Sequence, residues 1–213
     1  MNMNIEFVKP GDIEKRSMAI ITGELEKLGF DFDKYTDAEM AVLRRCIHTS
    51  ADFDYRDNLV MSKGAVDIGI KALKEGVSVL TDTNMAKSGI SKVTMDRNGG
   101  EVLNFIREED VIKSSKERGV TRSSVCMEKA ADLKKDLIIA IGNAPTALIR
   151  LYELIKEGKI KPVLVIGTPV GFVNVVESKE LFMELDVPYI IARGRKGGSN
   201  IAAAIVNAML YFK

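Results

Sequence analysis

Apolar residues recur along the chain with two periods, one of helices and one of strands. Ile13, Met18, Ile21, Leu25 and Leu28 follow a Pro-Gly-Asp start at helical spacing and stop at Gly29, which predicts an amphipathic opening helix. Thr36 and Glu39 have capping-box spacing ahead of Met40, Leu43 and Ile47, so a second helix runs on through RRCIHTSAD, with His48 near its C-terminus. NLVMS is extended, Gly64 precedes a helix over AVDIGIKALKEG, and the strand-like VSVLT follows Gly76. KVTMD, the turn Asn98-Gly99-Gly100 and EVLNFI are expected as a hairpin or as two separate edge strands. From Asp110 to Lys135 the pattern is helical, broken at Gly119, and TRSS offers hydroxyl caps to the second of these helices.

The C-terminal third is more regular. LIIAIG, PVLVIG and VPYIIAR are short, β-branched apolar runs, each followed by a turn and a helical segment. That order predicts parallel strands joined by right-handed crossovers, hence an α/β fold: a doubly wound, mostly parallel sheet flanked by helices in three Rossmann-like layers.

Composition narrows the partners. At 213 residues and 46% hydrophobic, the chain supports one well-buried core, and no linker, repeat or low-complexity tract divides it, so residues 1–213 are expected as one domain. Lys plus Arg number 31 against 30 Asp plus Glu, which leaves no overall field for nucleic acid or an anionic membrane. No run approaches the length of a membrane helix, and MNMNIEFVKPGD lacks the basic start and apolar run of an export signal; a cytoplasmic protein is expected. Cys46 and Cys126 belong to no ligand pattern and read as reduced core residues.

The chemistry concentrates after the three late strands. GNAPT, GTPVGF and RGRKGGS lie on the carboxyl edge of a parallel sheet, where glycine permits close backbone approach and helix N-termini favour anions. With Arg193, Arg195 and Lys196 in the last loop, the three together predict an anion-binding edge. None matches GxGxxG or a P-loop, so no nucleotide cofactor is indicated.

His48, the only histidine, is suited to proton transfer near neutrality, and Arg45, three residues earlier on the same helix face, could pair a substrate carboxylate. Asp52 or Asp54 could orient the imidazole, but their spacing makes no metal site. Lys63 and Arg122 stand near helix starts, where a structural cation gains nothing from the dipole. Ser17, mid-helix beside Met18, bonds either to the preceding turn or to a ligand.

RCIHTSADFD, TDTNMAKSGI, IGNAPTALIRLYELI, VIGTPVGFVNVVESKE and RGRKGGSNIAAAIVNAML resemble the precorrin-8 methylmutase family along almost the whole chain. The resemblance implies an isomerase of cobalamin biosynthesis that moves a methyl group from C11 to C12 of a corrin precursor, giving hydrogenobyrinate or its cobalt form, without a cofactor. It implies His48 as the catalytic proton donor, and Ser17, Arg45 and Arg122 as contacts to a polycarboxylate corrinoid. Asn143, Ala144 and Thr146 fall in the family's loop beside the ring. It further implies a homodimer whose clefts are completed across the interface. Asn84 stands where other members carry a basic residue, so the charge partner there is open. A non-catalytic tetrapyrrole carrier is the alternative; a nucleic-acid module using RGRKGGS lacks aromatic residues for base stacking.

Overall fold

A computed structural model describes residues 5–213; the first four residues of the polar N-terminal stretch lie outside the described part. In chain order the elements are α1 (Ile13–Lys27), α2 (Asp37–Ser50), α3 (Tyr55–Asn58), β1 (Leu59–Met61), α4 (Ala65–Lys74), β2 (Ser78–Thr81), α5 (Asn84–Gly89) and α6 (Lys92–Asn98). β3 (Val102–Leu103), α7 (Glu109–Arg118), α8 (Arg122–Asp132), β4 (Leu137–Ile141), α9 (Pro145–Lys156), β5 (Leu164–Gly167), α10 (Val175–Phe182), β6 (Tyr189–Ala192) and α11 (Ser199–Tyr211) follow.

The strands form one sheet in the order β1-β6-β5-β4-β2-β3. Every pairing is parallel except β1 with β6, which is antiparallel with Leu59 opposite Ala192. Side chains of the central strands alternate between two cores, as the pleat requires. Ile138, Ala140, Leu164, Ile166 and Ile190 face a core shared with α2, α4 and α11, whereas Leu137, Ile139, Ile141, Val165 and Ile191 face one shared with α8, α9 and α10. Both faces are thus covered, which is why these strands read as unbroken apolar runs.

The predicted capping box is present. Thr36 Oγ1 accepts from the Glu39 amide, and the Glu39 carboxylate accepts from the Thr36 amide at 2.8 Å. Of the hairpin or two edge strands expected over 92–106, only the second strand forms: Lys92–Asn98 is helix α6, and Val102–Leu103 is an edge strand parallel to β2. Local capping decides it, because Ser91 Oγ accepts from the Thr94 amide and Gly99, at φ 85°, closes the C-terminus in the left-handed region. Asn98 then donates to the Leu73 carbonyl at 3.0 Å and locks α6 against α4.

Candidate functional site at the carboxyl edge

From β2 the chain passes outward to β3, whereas β4, β5 and β6 progress in the other direction. The order therefore reverses between β2 and β4, the place where open α/β sheets bind ligands outside the strand carboxyl ends. A cavity of about 580 Å³ opens there, lined by Asn84, Arg107, Thr121, Arg122, Ser123 and Asn143 among others.

A buried carboxylate organises this edge. Asp82, 1% exposed, follows β2 and accepts the amide hydrogens of Gly142, Asn143 and Ala144 at 2.8, 2.9 and 2.8 Å. Burial pushes its carboxyl up, against the opposing pull of the three amides. The donors expected to meet a substrate anion in the GNAPT loop are thus already engaged, so this loop offers Asn143's exposed side chain rather than a free backbone nest. Next to it, Thr83 Oγ1 and Ser199 Oγ stand 2.7 Å apart and join the starts of α5 and α11.

The predicted cations divide into paired and unpaired groups. Arg193 donates two bonds to Glu180, at 2.8 and 2.7 Å, and holds that carboxyl below its usual range. Lys196 meets Asp52 at 2.6 Å and Asp54 at 2.5 Å, and Arg45 pairs with Glu14. Arg122 contacts only the Ile106 carbonyl, at 3.4 Å, and the Arg195 guanidinium lies 5.4 Å from the centre of the exposed Phe172 ring. Neither Arg122 nor Arg195 has a carboxylate partner among the described residues, and the same holds for Arg107. Lys63 does not reach this edge: β1 runs antiparallel to β6, so Lys63 follows the end of β1 that meets Ile190 and Tyr189, on the amino side of the sheet.

His48 is exposed near the end of α2, which Ala51 closes in the left-handed region at φ 54°. α2 packs on α11, and its following segment reaches the carboxyl edge because Arg193 donates its amide to Asn58 and Lys196 binds Asp52 and Asp54. The imidazole has no hydrogen-bond partner among the described residues; the two aspartates orient Lys196 instead, and Lys196 draws the Asp52 carboxyl down. Ser17 bonds back to the Ile13 carbonyl at 2.9 Å, Thr146 Oγ1 lies 2.8 Å from Thr121 Oγ1, and Ala144 is buried at the N-cap of α9. Cys46 and Cys126 are buried and free; burial pushes the Cys126 thiol up to about 12 and Cys46 higher still, so neither is a ready nucleophile.

Three residues escape sequence reasoning. Asp82 could be suspected as a carboxylate ending a strand on the carboxyl edge, and Arg107 only through the fold. Lys179 sits within a helical apolar pattern with no signal that it is enclosed.

Comparisons agree along the whole length. A family profile described as precorrin-8X methylmutase matches residues 12–212. The chain is 42% identical to a cobalt-precorrin-8 methylmutase of Priestia megaterium, covering 98% of this chain and 92% of that one. It is 38% identical to a precorrin-8X methylmutase of Pseudomonas aeruginosa, with 96% and 97% covered. The crystal structure of a precorrin-8x methyl mutase from Thermus thermophilus superposes with a TM-score of 0.84 at 36% identity, over 93% of this chain and 96% of that one. With motif, topology and length in accord, the chain belongs to the precorrin-8X methylmutase family.

Proposed function

We propose that this protein is an isomerase of cobalamin biosynthesis that moves a methyl group from C11 to C12 of precorrin-8X or its cobalt form, acting as one domain over residues 1–213. One observation carries the reading: Lys196 ties the segment bearing His48 to the carboxyl edge whose switch-point cavity holds Arg107 and Arg122 without carboxylate partners.

A corrinoid precursor offers many peripheral carboxylates around a flat apolar ring. Guanidinium groups at one edge bind such a ligand by charge-assisted hydrogen bonds, and they select a polycarboxylate over a neutral macrocycle. Arg122 and Arg195 are placed to donate to those carboxylates, with Arg193 and Lys196 holding the loop through their own acidic partners. Asn143 lines the cavity beside them, and Arg45 is released for a substrate carboxylate only if its Glu14 pair opens.

The rearrangement changes no oxidation state and transfers no group to a second molecule. The C11–methyl bond breaks as the C12–methyl bond forms, and a proton lent to the ring is returned because the formula is unchanged; holding the macrocycle in a reactive geometry and shuttling that proton are the demands on the protein. His48 supplies that proton: it is the chain's only histidine, exposed, and free of internal partners among the described residues. A homodimer whose clefts are completed across the interface belongs to the same proposal, as the family resemblance implies.

Purified wild type and His48→Ala, incubated anaerobically with precorrin-8 and with cobalt-precorrin-8, test the reading by absorption spectrum and product mass. The expected result is a spectral shift at constant mass for wild type alone, with His48→Ala still binding product. Equal conversion by both removes His48 from the chemistry, and binding without conversion by wild type makes the protein a tetrapyrrole carrier.

A further inference from the structure

Lys179 is fully enclosed, 0% exposed, on the α10 face that meets the loop after β6. A buried ammonium pays a desolvation cost that a methionine of similar volume would not, and such a group is retained where its hydrogen bonds do something an apolar side chain cannot. No carboxylate pairs with it among the described residues: the adjacent Glu180 carboxylate is taken by both arms of Arg193. Its partners are two backbone carbonyls instead, Gly194 at 2.8 Å and Lys196 at 2.9 Å.

Those carbonyls belong to the residues on either side of Arg195, so one ammonium fixes the 194–195 and 196–197 peptide units of this loop. Three contacts radiate from the segment so held. The Arg195 carbonyl accepts the Gly171 amide at 3.2 Å, and its guanidinium lies over the Phe172 ring. Lys196 reaches Asp52 and Asp54 in the segment that follows His48. Immediately beyond, Gly197 passes so close to β5's exit that an added Cβ would lie 2.2 Å from the Thr168 carbonyl oxygen, while Gly198 donates to that oxygen at 2.8 Å. The loops after β5 and β6 are therefore one unit, and the groups turned inward to hold it are the Lys179 ammonium on one flank and Thr168 on the other.

We propose that Lys179 is a positioning residue for substrate binding: its bonds to Gly194 and Lys196 hold the 193–198 loop so that Arg195 and the Phe172 ring face the corrinoid. The inference rests on the reading that the carboxyl edge receives that ligand. Lys179 touches neither substrate nor reacting atoms, so its loss acts on affinity rather than on the chemical step.

Lys179→Met keeps the volume and removes the donors. Its binding of hydrogenobyrinate, its KM and kcat, and amide exchange across the chain are measured beside the wild type. The expected result is a KM and product Kd raised by about tenfold or more, kcat changed by less than about fivefold, and faster exchange confined to residues 168–172 and 193–198. A folded variant whose KM and Kd stay within about twofold of wild type overturns the inference, as does faster exchange spread equally over the β4 amides. If Lys179→Met does not fold, Lys179→Gln, which retains one donating amide, is measured in its place; failure of both to fold makes Lys179 a core residue and overturns it too. Failure of the underlying reading looks different: wild type itself then neither binds nor converts, and both statements fall together.

Discussion

Asp82 shows how much one side chain decides at the switch point. Its two oxygens satisfy three amides at the start of α9, two of them on buried residues, where an unpaired donor costs about 1–3 kcal/mol. Asp82→Asn keeps the shape but turns an NH2 toward at least one of these amides. It is expected to lose about 2–3 kcal/mol in urea unfolding, and a loss below about 0.5 kcal/mol would show that the loop stands without the carboxylate. Lys179 makes a second residue-scale prediction. Burial lowers its ammonium from 10.5 to about 8, so between those values the unfolded chain holds a proton that the folded chain has released. More protons on the unfolded state means that stability rises with pH across that window, and below about 8 the cost of the buried charge is fully present. The stability difference between wild type and Lys179→Met should therefore shift in favour of wild type as pH climbs through the window. A difference that stays flat would mean that the lysine titrates normally in the fold.

Among the elements, the exit of β4 and the start of α11 approach each other through their backbones. A Cβ on Gly142 would stand 2.6 Å from the Ser199 Cα and 2.9 Å from its nitrogen, both backbone atoms that cannot swing aside. Gly142→Ala is expected to destabilise by about 1–3 kcal/mol and to lower activity, because the α11 start carries Ser199 and its bond to Thr83. Gly23→Ala, mid-α1 with nothing within 4 Å, serves as the control and should be neutral or stabilising by up to about 1 kcal/mol. Equal losses at both positions would refute the close approach. Periodicity located most elements correctly, including α1, α2 with its capping box, and the three late strands with their helices. It failed over 92–98, expected as a strand ahead of the Asn98-Gly99-Gly100 turn, where the Ser91 cap, the Gly99 terminus and burial of the adjacent Thr94 and Met95 favour helix. A seven-residue segment holds too few periods to separate the two patterns, and its long-range bond from Asn98 to Leu73 is invisible in local spacing.

Over the whole molecule, a single sheet separates two apolar cores, and the loops proposed to face the ligand gather at one edge because five parallel strands end there. No helix among the described residues is long and apolar enough to cross a membrane. The sequence by itself determined the parallel α/β order, the placement of the three glycine-bearing loops on the carboxyl edge, the single histidine and the family. Those follow from burial periodicity and from short motifs, both of which act within a few residues of the chain. Only the tertiary structure decided that β1 joins antiparallel and carries Lys63 to the opposite edge. It also decided that Asp82 occupies the amides of the GNAPT loop, and which cations are left without a carboxylate. Each of those outcomes is a pairing between groups far apart in sequence, 60 residues for Asp82 with Gly142 and 142 for Asp54 with Lys196. Charge of either sign can satisfy a surface position locally, and only the packed sheet selects the partner that stands within hydrogen-bond reach.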